Sequence, residues 1–167
     1  MAKRDNHYEA AFEAYLRSLR IPYIAVDEAK RTLNVDHSLK SLDFIVSTHQ
    51  GKLLVDVKGR KFPSGSQKQY WKNWSTAEDL ESLAEWEKLF GTGFQGVFVF
   101  AYNVLGDLAP VPCQQMFEFR NAWYGFVVIT LHDYAAHAHT ISPKWQTVAM
   151  PCDKFRQLAT PLHSLLT

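Results

Sequence analysis

Apolar and polar positions along this chain fall into two periods, one helical and one strand-like. Between Asn6 and Arg20, Tyr8, Ala11, Phe12, Tyr15, Leu16 and Leu19 recur at helical spacing and predict one amphipathic helix, which Pro22 stops. Tyr23 to Asp27 reads as a first strand, and Glu28 to Ser38 as a polar connection with turn-forming Asn34 and Asp36. Two strand-like runs follow, Leu42 to Ser47 and Leu53 to Lys58; His49, Gln50 and Gly51 supply the turn of a β-hairpin. Phe62 to Ser75 contains Pro63, Ser64, Gly65 and Ser66 and reads as a loop that Trp71 and Trp74 anchor. A second helix is expected over Thr76 to Phe90, with Ser75 and Glu78 spaced as a capping box, Leu80, Leu83, Trp86 and Phe90 as its buried stripe, and Gly91 as its stop. The unbroken apolar run Gly96 to Tyr102 predicts a central strand covered on both faces. Phe126 to Leu131 is a second such run, after a mixed stretch from Phe117 to Tyr124. The tail holds an expected edge strand, Trp145 to Met150, and a last helix with Pro151 at its first position.

The order helix, three strands, helix, strand, then further β and helical material implies an α/β fold, a mixed sheet with helices on both faces. At 167 residues the chain suits one domain, and it shows no internal repeat or linker. An apolar fraction of 47% and a charged fraction of 21% belong to an ordinary globular protein. Eighteen basic and seventeen acidic residues leave a net charge of +1, so any nucleic-acid surface must be local. The N-terminus lacks the apolar core of a signal peptide, and no run reaches the length of a membrane span, so a cytoplasmic location and no membrane partner are expected. Cys113 and Cys152 are isolated, without CxxC spacing, which argues against a disulfide scaffold or a zinc ribbon.

Chemistry concentrates in the hairpin. With the turn centred between His49 and Gln50, cross-strand partners have numbers that sum to 99, which sets Asp43 opposite Asp56. Directly opposed residues have Cβ atoms roughly 4.5–5.5 Å apart, so two like charges there need neutralising, as a divalent cation would do. Lys58 projects from the same strand face as Asp56. Glu9 and Glu13 lie four apart on the flank of the first helix, and either can reach toward such a site. Plainer explanations exist for several of these residues. Asp-Val-Lys also occurs as solvent-facing charges on ordinary strands, Asn6 and Glu9 make a helix cap, Glu13 can pair with Arg17, and His7 and His49 suit a helix start and a turn. His132, His137 and His139 lack the spacing of a zinc helix motif. No Gly-rich phosphate loop or G-x-S-x-G elbow is present.

The element order, Asp43, the Asp56-Val57-Lys58 run and an acidic residue on the first helix together resemble the PD-(D/E)XK nuclease superfamily, whose fold is restriction-endonuclease-like. The resemblance covers about the first hundred residues, a core of 6–102 in an αβββαβ order with a C-terminal β/helical extension over 103–167. Leu42 stands where the motif name has proline. The interval from Glu9 to Leu16 is similar to that of Holliday-junction-resolvase-like members, which assigns the helix role to Glu9 before Glu13. More narrowly, His7-Tyr8-Glu9-Ala10-Ala11-Phe12-Glu13 resembles the motif of a bacterial family called HYExAFE.

The resemblance implies a metal-dependent nuclease that hydrolyses phosphodiester bonds, with DNA favoured over RNA. Asp43, Asp56 and Glu9 would hold Mg²⁺ or Mn²⁺ together with the Val57 carbonyl, and Lys58 would orient water or stabilise transition-state charge. Arg60, Lys61, Lys68 and Lys72, interleaved with Tyr70, Trp71 and Trp74, would contact nucleic acid, with Gly59 turning the chain after the strand. The resemblance also allows a homodimer, the common arrangement for two-strand cleavage by this fold, while the sequence itself leaves the oligomeric state open. The alternative is a nuclease-fold module without turnover that binds nucleic acid or a protein partner.

Overall fold

The computed structural model describes residues 6–27, 39–63 and 71–167. The expected connection Glu28 to Ser38 and most of the Pro63 to Tyr70 loop lie outside them. The first helix, α1 (His7–Ser18), is capped by Asn6, whose side chain accepts from the Tyr8 N–H. After the short strand β1 (Tyr23–Ala25), the hairpin forms from β2 (Phe44–Thr48) and β3 (Gly51–Phe62). Its register runs from Phe44↔Val55 to Thr48↔Gly51, each pair summing to 99 as the turn predicted, but the ladder stops short of the expected Asp43–Asp56 pair, because the Asp43 N–H bonds the Val55 carbonyl.

Beyond β4 (Ser75–Thr76) come α2 (Ala77–Phe90) and β5 (Phe94–Val104). Then follow β6 (Phe117–Phe119), β7 (Ala122–Thr130), α3 (Leu131–His137), β8 (His139–Ser142) and β9 (Thr147–Ala149). The chain closes with α4 (Cys152–Leu158), β10 (Thr160–Pro161) and α5 (His163–Leu166). The main sheet has the order β1-β2-β3-β5-β7-β10, with β6 paired to β7. Among the described strands β3 and β5 alone run parallel, since α2 carries the chain back between them. β5 is central, and its residues Gly96 to Tyr102 are all buried, as an apolar run covered on both faces requires.

The sheet separates two apolar layers. On one face, Phe12, Tyr15 and Leu16 of α1 pack on Phe44, Val55, Val57, Val99 and Phe126. On the other, Leu83, Tyr134 and Phe155 from α2, α3 and α4 pack on Leu54, Phe98, Phe100 and Ile129. Trp71 anchors its loop on this second side against Phe62, Tyr102 and Phe155.

Four local expectations are corrected. The cap of α2 is Thr76 with Asp79, one residue later than Ser75 with Glu78; the buried Ser75 hydroxyl donates to Asp79 instead of capping the helix. β9 is the middle strand of a small second sheet, β4-β9-β8, and not an edge strand. Pro151 caps α4 from just outside instead of occupying its first turn. Gly59 does not turn the chain, for β3 continues to Phe62 beside β5.

Candidate active site

The site forms where the hairpin comes apart. β2 pairs with β3 only as far as Val55, whereas β3 runs on to Phe62. Past the last pair, the Val57 N–H finds a side chain: it donates to Asp43 Oδ2 at 2.7 Å. Asp43 thus sits just ahead of β2, fixed by its own N–H to Val55 O at 2.9 Å and by that accepted bond. Asp56 and Lys58 alternate along β3 and share a face, with Lys58 Nζ 3.1 Å from Asp56 Oδ1.

Glu9 reaches the same place from the opposite layer because Gly59 lets α1 come close. A Cβ at Gly59 would lie 2.0 Å from Tyr8 Cδ2, so the first helical turn rests directly on β3 there. Glu9 follows Tyr8, and its carboxylate accepts from Asn6 Nδ2 at 3.1 Å. The outcome is an open cavity of about 320 Å³ lined by Glu9, Lys40, Ser41, Asp43, Asp56, Val57 and Lys58. All five residues expected to form the reaction centre therefore line one space. Glu13, the other helix candidate, turns away to Arg17 and Tyr23.

Two residues at this site carried no assignment in the sequence reading. Asp79 of α2 is buried and receives Lys58 Nζ at 2.8 Å, Ser75 Oγ at 2.9 Å, the Thr76 N–H at 3.1 Å and Lys40 Nζ. Its signal was the Thr76-x-x-Asp79 capping pattern, which competes one residue along with Ser75-x-x-Glu78. Lys40 carried no motif, and only the fold brings it to Asp79 and the cavity.

The carboxylates differ in charge environment. Burial pushes Asp43 well above the ordinary carboxylate range, and the charges of Asp56 and Glu9 push the same way against the Val57 N–H and Lys58. Asp56 is raised too, chiefly by burial, with Lys58 opposing and Asp79 adding. Burial also pushes Asp79 upward, but Lys58 and Lys40 outweigh it and hold Asp79 well below the usual range. The two acids that share Lys58 thus shift in opposite directions. Asp79 takes direct hydrogen bonds from both Lys58 and Lys40, whereas Asp56 takes one only from Lys58 and feels Lys40 at longer range.

Among the described residues, no three His, Cys, Asp or Glu side chains converge into a ready-made metal cage, and the histidines of α3 and β8 form none. Asp43 and Asp56 are two hard-oxygen donors beside an open cavity, a donor type that suits Mg²⁺. Mg²⁺ retains several waters and takes one or two carboxylates plus substrate phosphate.

Among the described residues, the expected nucleic-acid contacts Arg60, Lys61 and Lys72 do not assemble into one patch. Arg60 follows Asp56 and Lys58 on their face of β3, but its guanidinium stacks 3.8 Å from the Trp74 ring centroid and donates to the Gly59 and Trp74 carbonyls. Lys61, the next residue of the strand, is exposed toward the other face. Lys72 is half-buried beside Tyr102, whose hydroxyl donates to the Lys72 carbonyl, and Lys68 lies outside the described residues.

No family model matches the chain, and no curated protein matches it. A solved structure does: Hjc of Archaeoglobus fulgidus, a Holliday junction resolvase from an archaeal hyperthermophile. The similarity spans 95% of this chain and 96% of that one, with a TM-score of 0.57 and 11% sequence identity. At that identity the likeness speaks for the fold, which is restriction-endonuclease-like: a mixed sheet between helices.

Proposed function

We propose that this protein is a metal-dependent nuclease that hydrolyses phosphodiester bonds of DNA. The observation that carries the reading is the single cavity into which α1, β3 and the segment before β2 deliver Glu9, Asp43, Asp56 and Lys58. The neighbouring fold is that of a resolvase, which favours DNA over RNA and makes a branched duplex the first substrate to try. The HYExAFE-like run adds a local reason for the helix: Tyr8 seats it on Gly59 and Glu9 faces the site.

Asp43 and Asp56 would hold Mg²⁺ or Mn²⁺, with Glu9 on the helix side and the Val57 carbonyl at the cavity wall. Such a cation supplies charge neutralisation and polarises the phosphoryl oxygen. The chain's own residues do the positioning. Asp43 is locked by the Val57 N–H, so its other oxygen is presented in a fixed place. Lys58 Nζ lies against two carboxylates, a placement that suits it to orient a phosphate or stabilise transition-state charge. No helix among the described residues is long and apolar enough to cross a membrane. A homodimer working in the cytoplasm would cut both strands of a duplex.

The test is cleavage of four-way-junction, duplex and single-stranded DNA, and of RNA, with Mg²⁺ or Mn²⁺. Asp56→Ala is expected to lower the rate by about 100-fold or more while leaving the fold intact. Survival of every substrate in both metals, or an Asp56→Ala variant that cuts as well as the parent, would sink the proposal. The commitment of Lys58 to Asp56 and Asp79 also favours a second reading, a non-cutting module that binds nucleic acid. Salt-sensitive binding without cleavage would select it.

A further inference from the structure

Asp79 is held through both oxygens. Its Oδ1 accepts from Lys40 Nζ, and its Oδ2 accepts from Lys58 Nζ, Ser75 Oγ and the Thr76 N–H. Four donors thus bind a carboxylate that offers about four acceptor sites, and most of its hydrogen-bonding capacity is spent on the protein. It is also immobile: it is the third residue of α2, bound into the capping box and only 3% exposed. Its negative charge at the helix N-terminus is favoured by the backbone dipoles there.

Asp56 is placed differently. It faces the cavity, and its Oδ1 lies 3.1 Å from the same ammonium that Asp79 holds at 2.8 Å. Lys58 is nearly as buried, with 12% of its side chain exposed, and cannot simply leave for solvent. A divalent cation arriving at Asp56 would meet this positive charge directly. The lysine must then be held by something other than Asp56, or it repels the cation from the carboxylate both need.

We propose that Asp79 is a positioning residue that retains Lys58 against α2, so that a divalent cation takes Asp56 while the lysine stays in the cavity. The proposal rests on the metal-site reading of Asp56 given above. Two carboxylates with one ammonium between them make an exchange: the lysine is shared in the absence of cation and belongs to Asp79 in its presence. Lys40, whose ammonium binds the other Asp79 oxygen, keeps that carboxylate turned toward both lysines.

The test is a double-mutant cycle on Mn²⁺ affinity, measured by calorimetry on the full chain for the parent, Asp79→Asn, Lys58→Met and the pair combined. Asparagine keeps the size of Asp79 and can still accept the Thr76 N–H, and circular dichroism verifies the fold of each variant. Asp79→Asn is expected to weaken Mn²⁺ binding roughly three- to tenfold, because Lys58 falls back on Asp56. Lys58→Met is expected to tighten binding, and the double variant to bind as tightly as Lys58→Met alone. In cleavage, Asp79→Asn would lower kcat with little change in KM, and would lower it no further once Lys58 is gone. An Asp79→Asn loss of the same size with and without Lys58 would show a merely structural role and overturn the proposal. So would no loss at all, or a parent chain that binds no Mn²⁺. If Asp79→Asn does not fold, Lys58→Met alone decides, since unchanged or weaker Mn²⁺ binding there also overturns it. A parent that binds Mn²⁺, follows the cycle and cuts nothing refutes the nuclease reading while supporting this one.

Discussion

Asp43 and Asp79 are both buried acids within reach of the same lysine, yet they contribute to stability with opposite dependence on pH. The folded state raises Asp43, so it binds a proton that the unfolded chain, at a carboxyl pKa of about 4, has already released. Its contribution is complete below that value and is lost as pH rises through the raised one. Asp79 is lowered, so its contribution is present above about pH 4 and is lost only as pH falls toward its depressed value. Asp43→Asn, which can still accept the Val57 N–H, is therefore expected to stabilise the metal-free protein at neutral pH by about 1–2 kcal/mol. The gain should disappear below about pH 4, where Asp43 is protonated in both states. Thermal melts across pH check this, and a variant less stable than the parent at neutral pH contradicts it. Under the proposed function excess Mg²⁺ reverses the order, stabilising the parent and not the variant.

At the scale of elements, the seat of α1 on β3 decides whether Glu9 reaches the cavity. The Tyr8 ring occupies the space a side chain at Gly59 would need. Gly59→Ala is expected to cost about 1–3 kcal/mol by overpacking and to lift the first turn of α1 away from β3. Tyr8→Ala should relieve that clash, so the double variant is expected to be less destabilised than the two single effects added together. Denaturant unfolding of the four proteins measures it, and strict additivity would mean the ring yields freely. This contact also marks the limit of what the sequence discloses. The helix stripe from Tyr8 to Leu19, the apolar run of β5 and the hairpin register were legible because each depends on local period and turn chemistry. Gly59 was misread as a turn because a glycine in a strand looks the same whether the chain bends or a neighbour presses on it. Asp79 escapes notice because two capping patterns overlap at Ser75 and Thr76, and in the fold Thr76 caps while Ser75 Oγ donates to Asp79 instead. Lys40 is polar and short of any motif, and its place follows from a fold-level approach of the segment before β2 to α2.

At the scale of the whole molecule, the resemblance in sequence ends near Tyr102, but the sheet does not. β7 pairs with β5 from Val97↔Thr130 to Val104↔Trp123, and β10 closes the far side of β7. Tyr124, Phe126 and Val128 pack in the layer of α1, while Val127 and Ile129 pack in the layer of α2, so residues beyond 103 complete both cores. Cutting the chain after Val104 would leave β5 as an edge strand that keeps α1 and α2 on its faces but loses β7, an arrangement that invites pairing with other chains. It would also uncover Phe98 and Phe100, now packed against Tyr134 and Phe155. The 1–104 fragment is thus expected to aggregate or to lack a cooperative melt, even though it carries Glu9, Asp43, Asp56, Lys58 and Asp79. Size-exclusion chromatography with thermal denaturation tests this. A monomeric fragment with a sharp transition would mean that the first hundred residues form an independent core and that β7 and the helices after it are accessory.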